Sequence, residues 1–84
     1  MTDELTGDAK FGADLVALRF ERLRMSQVEF ADRYALSPAV VRNAEQRRYS
    51  PHHAMLVLAA AIDLDPQFMA AAAKVARGRW WPSA

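Results

Sequence analysis

Residues 26–46 read SQVEFADRYALSPAVVRNAEQ, and this stretch decides the fold. It contains two helix starts. Ser26 followed by Glu29 forms a capping box, in which the serine hydroxyl accepts from the Glu29 N–H and the carboxylate accepts from the Ser26 N–H. Ser37 before Pro38 is the second start, because proline at the first helical position loses no hydrogen bond there and has a preset φ. The stretch therefore predicts two short helices joined by a tight turn.

These two helices are predicted at 26–35 and 38–48, crossing steeply over shared apolar side chains. Ala31 is small enough to let the helices approach each other, and Ala35 lies at the turn. The shared apolar positions are Phe30, Tyr34, Leu36, Val41 and Ala44. Such a pair leaves one face of its second helix exposed and of a size to enter a DNA major groove.

Three more helices complete the chain. Ser50-Pro51 and Asp65-Pro66 repeat the cap-then-proline signal and predict the fourth and fifth helices, with Gly78 as the stop of the fifth. The first helix is predicted from about Asp8 to Arg24, and it carries two apolar groups. These groups are Phe11, Leu15 and Leu18, and Val16, Phe20 and Leu23. Either both groups form one broad buried face, or one packs in the core while the other meets a partner.

The composition bounds the class of protein. Eighty-four residues make one domain, and the absence of cysteine excludes disulfides and thiolate sites. Residues 1–14 carry a net charge of −3 and residues 15–84 a net charge of +4, so a basic body follows an acidic start. There is no signal-peptide pattern, and the longest apolar run, residues 54–62, is too short for a membrane span. A cytoplasmic protein is expected.

That apolar run also predicts an interface. A helix that is apolar on all sides must be covered on all sides, which is difficult within so short a chain. A homodimer is the natural cover. The residues predicted at a dimer or partner interface are Met55, Leu58, Ile62, Trp80 and Trp81.

The motif resembles the Xre/Cro-like helix-turn-helix family in SQVEFA (26–31), LS (36–37) and VVRNAEQ (40–46). The continuation through Pro51, Leu58, Ile62 and Asp65-Pro66 resembles HigA-type antitoxins of toxin–antitoxin operons. The resemblance covers about residues 12–70. It implies an all-α, five-helix, lambda-repressor-like DNA-binding domain with its helix-turn-helix at helices 2 and 3.

The chain departs from that family pattern at four points. Ala35 replaces the usual turn glycine, which leaves the turn intact if its φ is negative. Ala44 replaces the usual tryptophan before Glu45, and Arg47 replaces the usual glycine after Gln46. The first helix is one residue longer before the capping box than is typical.

Carried over by position, the resemblance implies which side chains meet DNA. The implied base-reading residues are Ala39, Val40, Arg42 and Asn43; arginine pairs with guanine, asparagine with adenine, and valine contacts a thymine methyl. The implied DNA-backbone residues are Gln27, Ser37, Gln46, Arg47, Arg48 and Tyr49. Glu45 is interpreted as structural, capping or pairing with a nearby arginine.

Two other features have competing interpretations. Adjacent His52 and His53 point about 100° apart on a helix and have no third ligand, so no metal site and no cofactor is predicted. Trp80 and Trp81 either fold back on the domain or dock on a second copy or on a toxin. Residues 1–8 are predicted as an acidic tail, 9–78 as the helix-turn-helix domain and 79–84 as a tryptophan-containing tail.

The sequence thus predicts a transcriptional repressor that binds a palindromic double-stranded operator as a homodimer. The antitoxin resemblance implies that it also neutralises a small RelE/HigB-like ribonuclease and represses its own operon. The alternative is a stand-alone phage or metabolic regulator with no toxin partner. An enzyme is not expected, because the serines at 26, 37 and 50 are explained as caps and no paired carboxylates or phosphate loop occur.

Overall fold

The computed structural model describes residues 7–47 and 50–81, which form five helices and, within those ranges, no strand. The prediction of an all-α chain is confirmed. The helices are α1 (Gly7–Val16, continued by a π-helical segment Ala17–Arg22), α2 (Gln27–Arg33), α3 (Pro38–Glu45), α4 (His53–Leu64) and α5 (Pro66–Trp80). None of these helices is long and apolar enough to cross a membrane.

Three of the predicted helix caps are confirmed. Ser26, Ser37 and Asp65 each accept a hydrogen bond from the backbone N–H three residues further on, at 3.0, 3.1 and 3.0 Å. The Ser26 N–H in turn donates to Glu29 Oε1 at 2.8 Å, which completes the capping box. These bonds from Ser26 lower the pKa of Glu29. Because that pKa is lowered in the folded state, the stability contributed by the ionised carboxylate is present at neutral pH and is lost as acid protonates it.

Three predicted boundaries are wrong, the first being the end of the third helix, which lies at Glu45 and not at residue 48. The fourth helix does not start at Ser50: its N-cap is His52, whose Nδ1 accepts from the Ala54 N–H at 3.0 Å. A neutral imidazole nitrogen is an acceptor, so it replaces the serine hydroxyl in this role. Gly78 does not end α5, which continues to Trp80. The acidic segment 1–8 lies outside the described residues except for 7–8, which belong to α1.

The core lies where α2 and α3 pack against α1 and α4. Phe30 and Val41 are fully buried there with Leu15 and Ile62. The predicted shared positions of α2 and α3 are confirmed, because Phe30, Tyr34, Val41 and Ala44 are buried and Leu36 packs against the same cluster. Burial raises the pKa of the Tyr34 phenol. Its protonated hydroxyl donates to the carbonyl oxygen of Pro66 at 3.3 Å, which ties α2 to the start of α5.

The two apolar groups of the first helix have different environments. Leu15 and Leu18 are buried, and Phe11 packs against the same core. Phe20, from the second group, is 58% exposed. One broad buried face is therefore wrong at Phe20, whereas Leu23 of the same group is half-buried and packs against the core. Contact between the second group and a partner stays a prediction.

The π-helical segment explains how a longer first helix reaches the capping box. The Leu23 N–H donates to the Leu18 carbonyl oxygen at 3.0 Å, five residues back instead of four. A π-helical turn uses more residues than an α-helical turn, so it takes up an extra residue within the helix. The segment ends at Arg22, ahead of the extended backbone at Ser26.

Gly12 allows α1 to approach the end of α3. A β-carbon at this position would lie 3.0 Å from the backbone oxygens of both Ala44 and Glu45. Backbone atoms at that distance cannot move aside without shifting α3. The glycine therefore sets how close the first helix comes to the helix that carries the candidate site.

The turn between α2 and α3 differs from expectation. Ala35 has a φ of 60°, so the predicted negative φ is wrong and the turn keeps the left-handed geometry that glycine usually provides. Arg47, after α3, has a φ of 57°. Both departures from the family glycines thus fall at left-handed positions, where a β-carbon costs about 1–2 kcal/mol.

Replacing Ala35 with glycine is expected to stabilise the fold by up to about 1 kcal/mol. Relief of the left-handed strain exceeds the entropy that glycine adds to the unfolded chain. Ala13→Gly is the matched control, because Ala13 is exposed inside α1 and the same exchange there should cost about 0.5–1 kcal/mol. Urea unfolding measures the change in the free energy of unfolding for both variants. An equal loss of stability in both would contradict a strained backbone at Ala35.

Helix α4 covers part of its apolar surface within the chain. Met55 and Ile62 are buried in the core of the single chain, so their prediction as dimer or partner residues is wrong. The physical reason is that this side of α4 packs into the core cluster that the other helices of the same chain form, which includes Leu15, Phe30 and Val41. Val57 and Leu64 remain exposed on the other side, at 69% and 85%.

Candidate nucleic-acid interface

The outer face of α3 carries the predicted base-reading residues. Ala39, Val40 and Arg42 are exposed and Asn43 is half-buried. The opposite face packs inward through Val41 and Ala44. Because α3 is held by that inner face, its outer side chains occupy one continuous surface strip. Val40 also lines a small apolar pocket of about 180 Å³ together with Ala44, Pro51, His52 and Met55.

A buried ion pair fixes the end of α3. Arg19 donates from Nε to Glu45 Oε2 at 2.6 Å and from a terminal nitrogen to Glu45 Oε1 at 2.9 Å. The side chains are only 11% and 5% exposed. Arg19 also donates to the Met25 carbonyl oxygen at 2.8 Å, and Gln27 Nε2 donates to Glu45 Oε1 at 2.9 Å. The interpretation of Glu45 as a structural partner of an arginine is confirmed.

This ion pair has an electrostatic consequence for the outer face. Glu45 is the one acidic residue in α3, and its charge is buried against Arg19. The exposed side chains of α3 therefore carry no negative charge, while Arg42 contributes a positive one. Arg47 adds a second exposed cation just beyond the helix. A surface of this kind suits a polyanion.

Three of the six residues predicted at the DNA backbone lie at the two ends of this surface. Ser37 is exposed at the N-terminus of α3, where its hydroxyl caps the helix. Gln46 and Arg47 are exposed at the other end. Gln27 is half-buried, and its amide nitrogen is engaged by Glu45, so the structure gives it a role in packing. Arg48 and Tyr49 lie outside the described residues.

Sequence reasoning did not identify Arg19. It lies directly after Leu18, in the stretch of the first helix that carries the two apolar groups. The available signal was an arginine within the mainly apolar stretch LVALRF (15–20), since a guanidinium that becomes buried requires a carboxylate partner. Glu45 was the partner that the motif already marked as structural.

The tryptophan pair and Leu58 are placed differently from one another. Trp80 and Trp81 are 73% and 53% exposed at the end of α5, with arginine guanidinium groups about 5.8 Å from each ring centre. Folding of this pair back onto the domain is therefore wrong. Leu58 is half-buried against the core. Docking of the tryptophans on a partner stays a prediction.

A groove of about 600 Å³ lies between the first helix and α4. Its apolar lining includes Phe11, Leu18 and Leu56. Its charged lining consists of three carboxylates and one guanidinium: Asp14, Glu21, Asp63 and Arg22, of which the last two form an ion pair. The groove is therefore mainly apolar with a net negative lining, in which Asp14 and Asp63 also form ion pairs with Lys10 and Arg22.

The histidine pair is accounted for by capping. His52 accepts the Ala54 N–H, and its ring centre lies 6.4 Å from that of His53. Within 7–47 and 50–81, no three histidine, cysteine or acidic residues are grouped as a metal site requires.

No family model, curated protein or solved structure matches the chain.

Proposed function

We propose that the chain is a sequence-specific DNA-binding transcriptional repressor, in which α2 and α3 form a helix-turn-helix and α3 enters the major groove. The observation that carries the proposal is the outer face of α3: Arg42 and Asn43 lie on it beside the small Ala39, and its one carboxylate is buried in an ion pair. Arginine and asparagine are the side chains that read guanine and adenine bidentately. The lambda-repressor-like arrangement of the five helices belongs to the same proposal.

The rigidity of α3 supports base reading by this surface. Gly12 lets the first helix touch the backbone of Ala44 and Glu45, and Arg19 holds the Glu45 side chain. Base contacts require side chains held on a firmly positioned element. Ser37 and Arg47, at the two ends of α3, are placed to contact phosphates and supply salt-dependent affinity.

A repressor of this size binds as a homodimer to a palindromic site, because two copies related by a two-fold axis read two half-sites about 34–36 Å apart. The test is a mobility-shift titration at fixed salt with the duplex upstream of the chain's own gene. We expect retardation that a scrambled duplex does not show. Equal retardation of both duplexes, or unchanged binding by the Arg42→Ala/Asn43→Ala variant, would overturn sequence-specific recognition.

A second candidate role is favoured by the groove between the first helix and α4. We propose that this groove takes a cationic segment of a RelE/HigB-like ribonuclease toxin, which would make the chain an antitoxin that also represses its own operon. A ribonuclease needs a cationic surface for its polyanionic substrate. The groove offers an apolar floor and acidic side chains that match such a surface. A stand-alone regulator is the alternative if this site has no partner.

Co-expression with the neighbouring open reading frame tests the antitoxin role. Ala60→Arg should abolish co-purification of the neighbouring product, because Ala60 lines the groove and the new side chain obstructs it and adds a positive charge. Ala13→Arg is the matched control on an exposed position outside the groove lining. Co-purification that survives Ala60→Arg, or its absence with the unaltered chain, contradicts the groove as a toxin site.

A further inference from the structure

The solvent-exposed face of α5 is apolar, which is unusual for a surface helix. The one residue of this helix that is classed as buried is Ala73, which is 8% exposed. At about 100° per residue, the direction opposite Ala73 is occupied by four residues within about 80°. These are Phe68, Ala71, Val75 and Gly78, all exposed and none of them polar. A surface helix normally presents charged or polar side chains in that direction. This α5 face therefore needs a cover, which the described part of the chain does not supply.

The order of side-chain sizes along the α5 face indicates the cover. Phe68 lies five residues before Ala73 and Gly78 five residues after it; Ala71 and Val75 lie two residues on either side. Two α5 helices packed antiparallel about a two-fold axis would set Phe68 against Gly78 and Val75 against Ala71 of the second copy. Each large side chain then meets a small one. A parallel pair would set Phe68 against Phe68 and leave Gly78 facing Gly78.

Gly78 is the second indication. Glycine within a helix costs about 1 kcal/mol relative to alanine. Among residues 7–47 and 50–81 nothing requires it, since a β-carbon built at Gly78 meets no atom of that part of the chain within 4 Å. At Gly12, by contrast, the same construction meets backbone oxygens at 3.0 Å. The absent side chain at Gly78 is explained if a bulky group of a second copy occupies that space.

The charges at the ends of α5 agree with the antiparallel direction. Asp65 begins the helix and Arg79 stands in its last turn, on the same flank of the α5 face. An antiparallel pair brings the Arg79 guanidinium of one copy to the Asp65 carboxylate of the other, and it also opposes the two helix dipoles favourably. Lys74 lies on the other flank, where its flexible stem lets the ammonium group reach water.

We infer that two copies of this chain associate through the α5 face, antiparallel, with Phe68 of each copy filling the space beside Gly78 of the other. The inference rests on the homodimer of the proposed function and names the surface through which it forms. It is tested without DNA, so its failure leaves the α3 surface untouched.

The first experiment is sedimentation equilibrium of the full chain in the absence of DNA. Gly78→Phe should weaken dimerisation about ten-fold or more, because the new ring meets Phe68 of the partner at both symmetric contacts. Adding Phe68→Ala to that variant exchanges the large and small positions and should restore most of the affinity. Val28→Phe, which enlarges an exposed apolar residue on α2, is the control and should leave the equilibrium unchanged. Circular dichroism reports whether each variant folds.

A second experiment does not depend on those variants. The chain has no cysteine, so single cysteines can be introduced cleanly. A mixture of Ala71→Cys and Val75→Cys proteins should form the mixed disulfide in clear excess over either symmetric one, because the antiparallel order sets these positions face to face. Three results would each overturn the inference. The unaltered chain could be monomeric, the folded Gly78→Phe/Phe68→Ala variant could fail to regain affinity for a second copy, or the symmetric disulfides could exceed the mixed one.

Discussion

Replacing Glu45 with alanine is expected to lower the free energy of unfolding by about 3–5 kcal/mol. The substitution leaves the Arg19 guanidinium buried without its carboxylate, and it removes the acceptor of the Gln27 amide. A charge kept from water and from any partner is strongly unfavourable. Since a domain of this size has a total stability of about 5–10 kcal/mol, the variant should be close to unfolded at physiological temperature.

Two controls separate this effect from the simple loss of an ion pair. Asp14→Ala breaks the exposed pair with Lys10 and should cost at most about 1 kcal/mol. The double variant Arg19→Met/Glu45→Leu removes both charges and should recover most of the loss, because apolar side chains of similar volume need no partner. Urea unfolding followed by circular dichroism provides the comparison. A loss below about 1 kcal/mol for Glu45→Ala would show that water reaches the arginine.

The largest effect on binding is expected from Arg42→Ala/Asn43→Ala. Each bidentate base contact contributes about 1–3 kcal/mol of discrimination, so the double variant should lose about 2–6 kcal/mol of operator affinity, or thirty-fold and more. Neither side chain is part of the buried core, so the fold should be retained. A titration at fixed salt, with the operator and a scrambled duplex, measures the loss. The difference between the two duplexes should nearly vanish in the variant.

Two single variants, Arg33→Ala and Arg47→Ala, are the controls that separate base reading from a general effect of charge. Arg33 is an exposed cation in the last turn of α2 and lies off the α3 surface, so its loss should change affinity little. Arg47→Ala should weaken binding to both duplexes alike and reduce the salt dependence by about one ion, as expected for a phosphate contact. If Arg33→Ala and the double variant weaken operator binding equally, then α3 contributes charge alone and does not read bases.

Local chemistry explains what could be predicted from the sequence. Helix starts depend on hydrogen bonds within four residues, so the local sequence was enough to predict Ser26, Ser37 and Asp65 as caps. The apolar period of residues 26–46 placed Phe30 and Val41 in the core for the same reason, since the spacing of a helix fixes which side chains share a face. Both predictions depended on short stretches of chain alone.

Contacts between distant residues were decided by the tertiary structure. The sequence marked Glu45 as structural, but Arg19, twenty-six positions away, became its partner only when α1 packed on α3. The sequence of α4 does not indicate which side faces the core, because residues 54–62 are apolar on every side. Packing in the tertiary structure buries Ile62 and leaves Leu64 exposed. Ala35 adopts a left-handed φ because the direction of α3 demands it, at a cost that local preference alone would avoid.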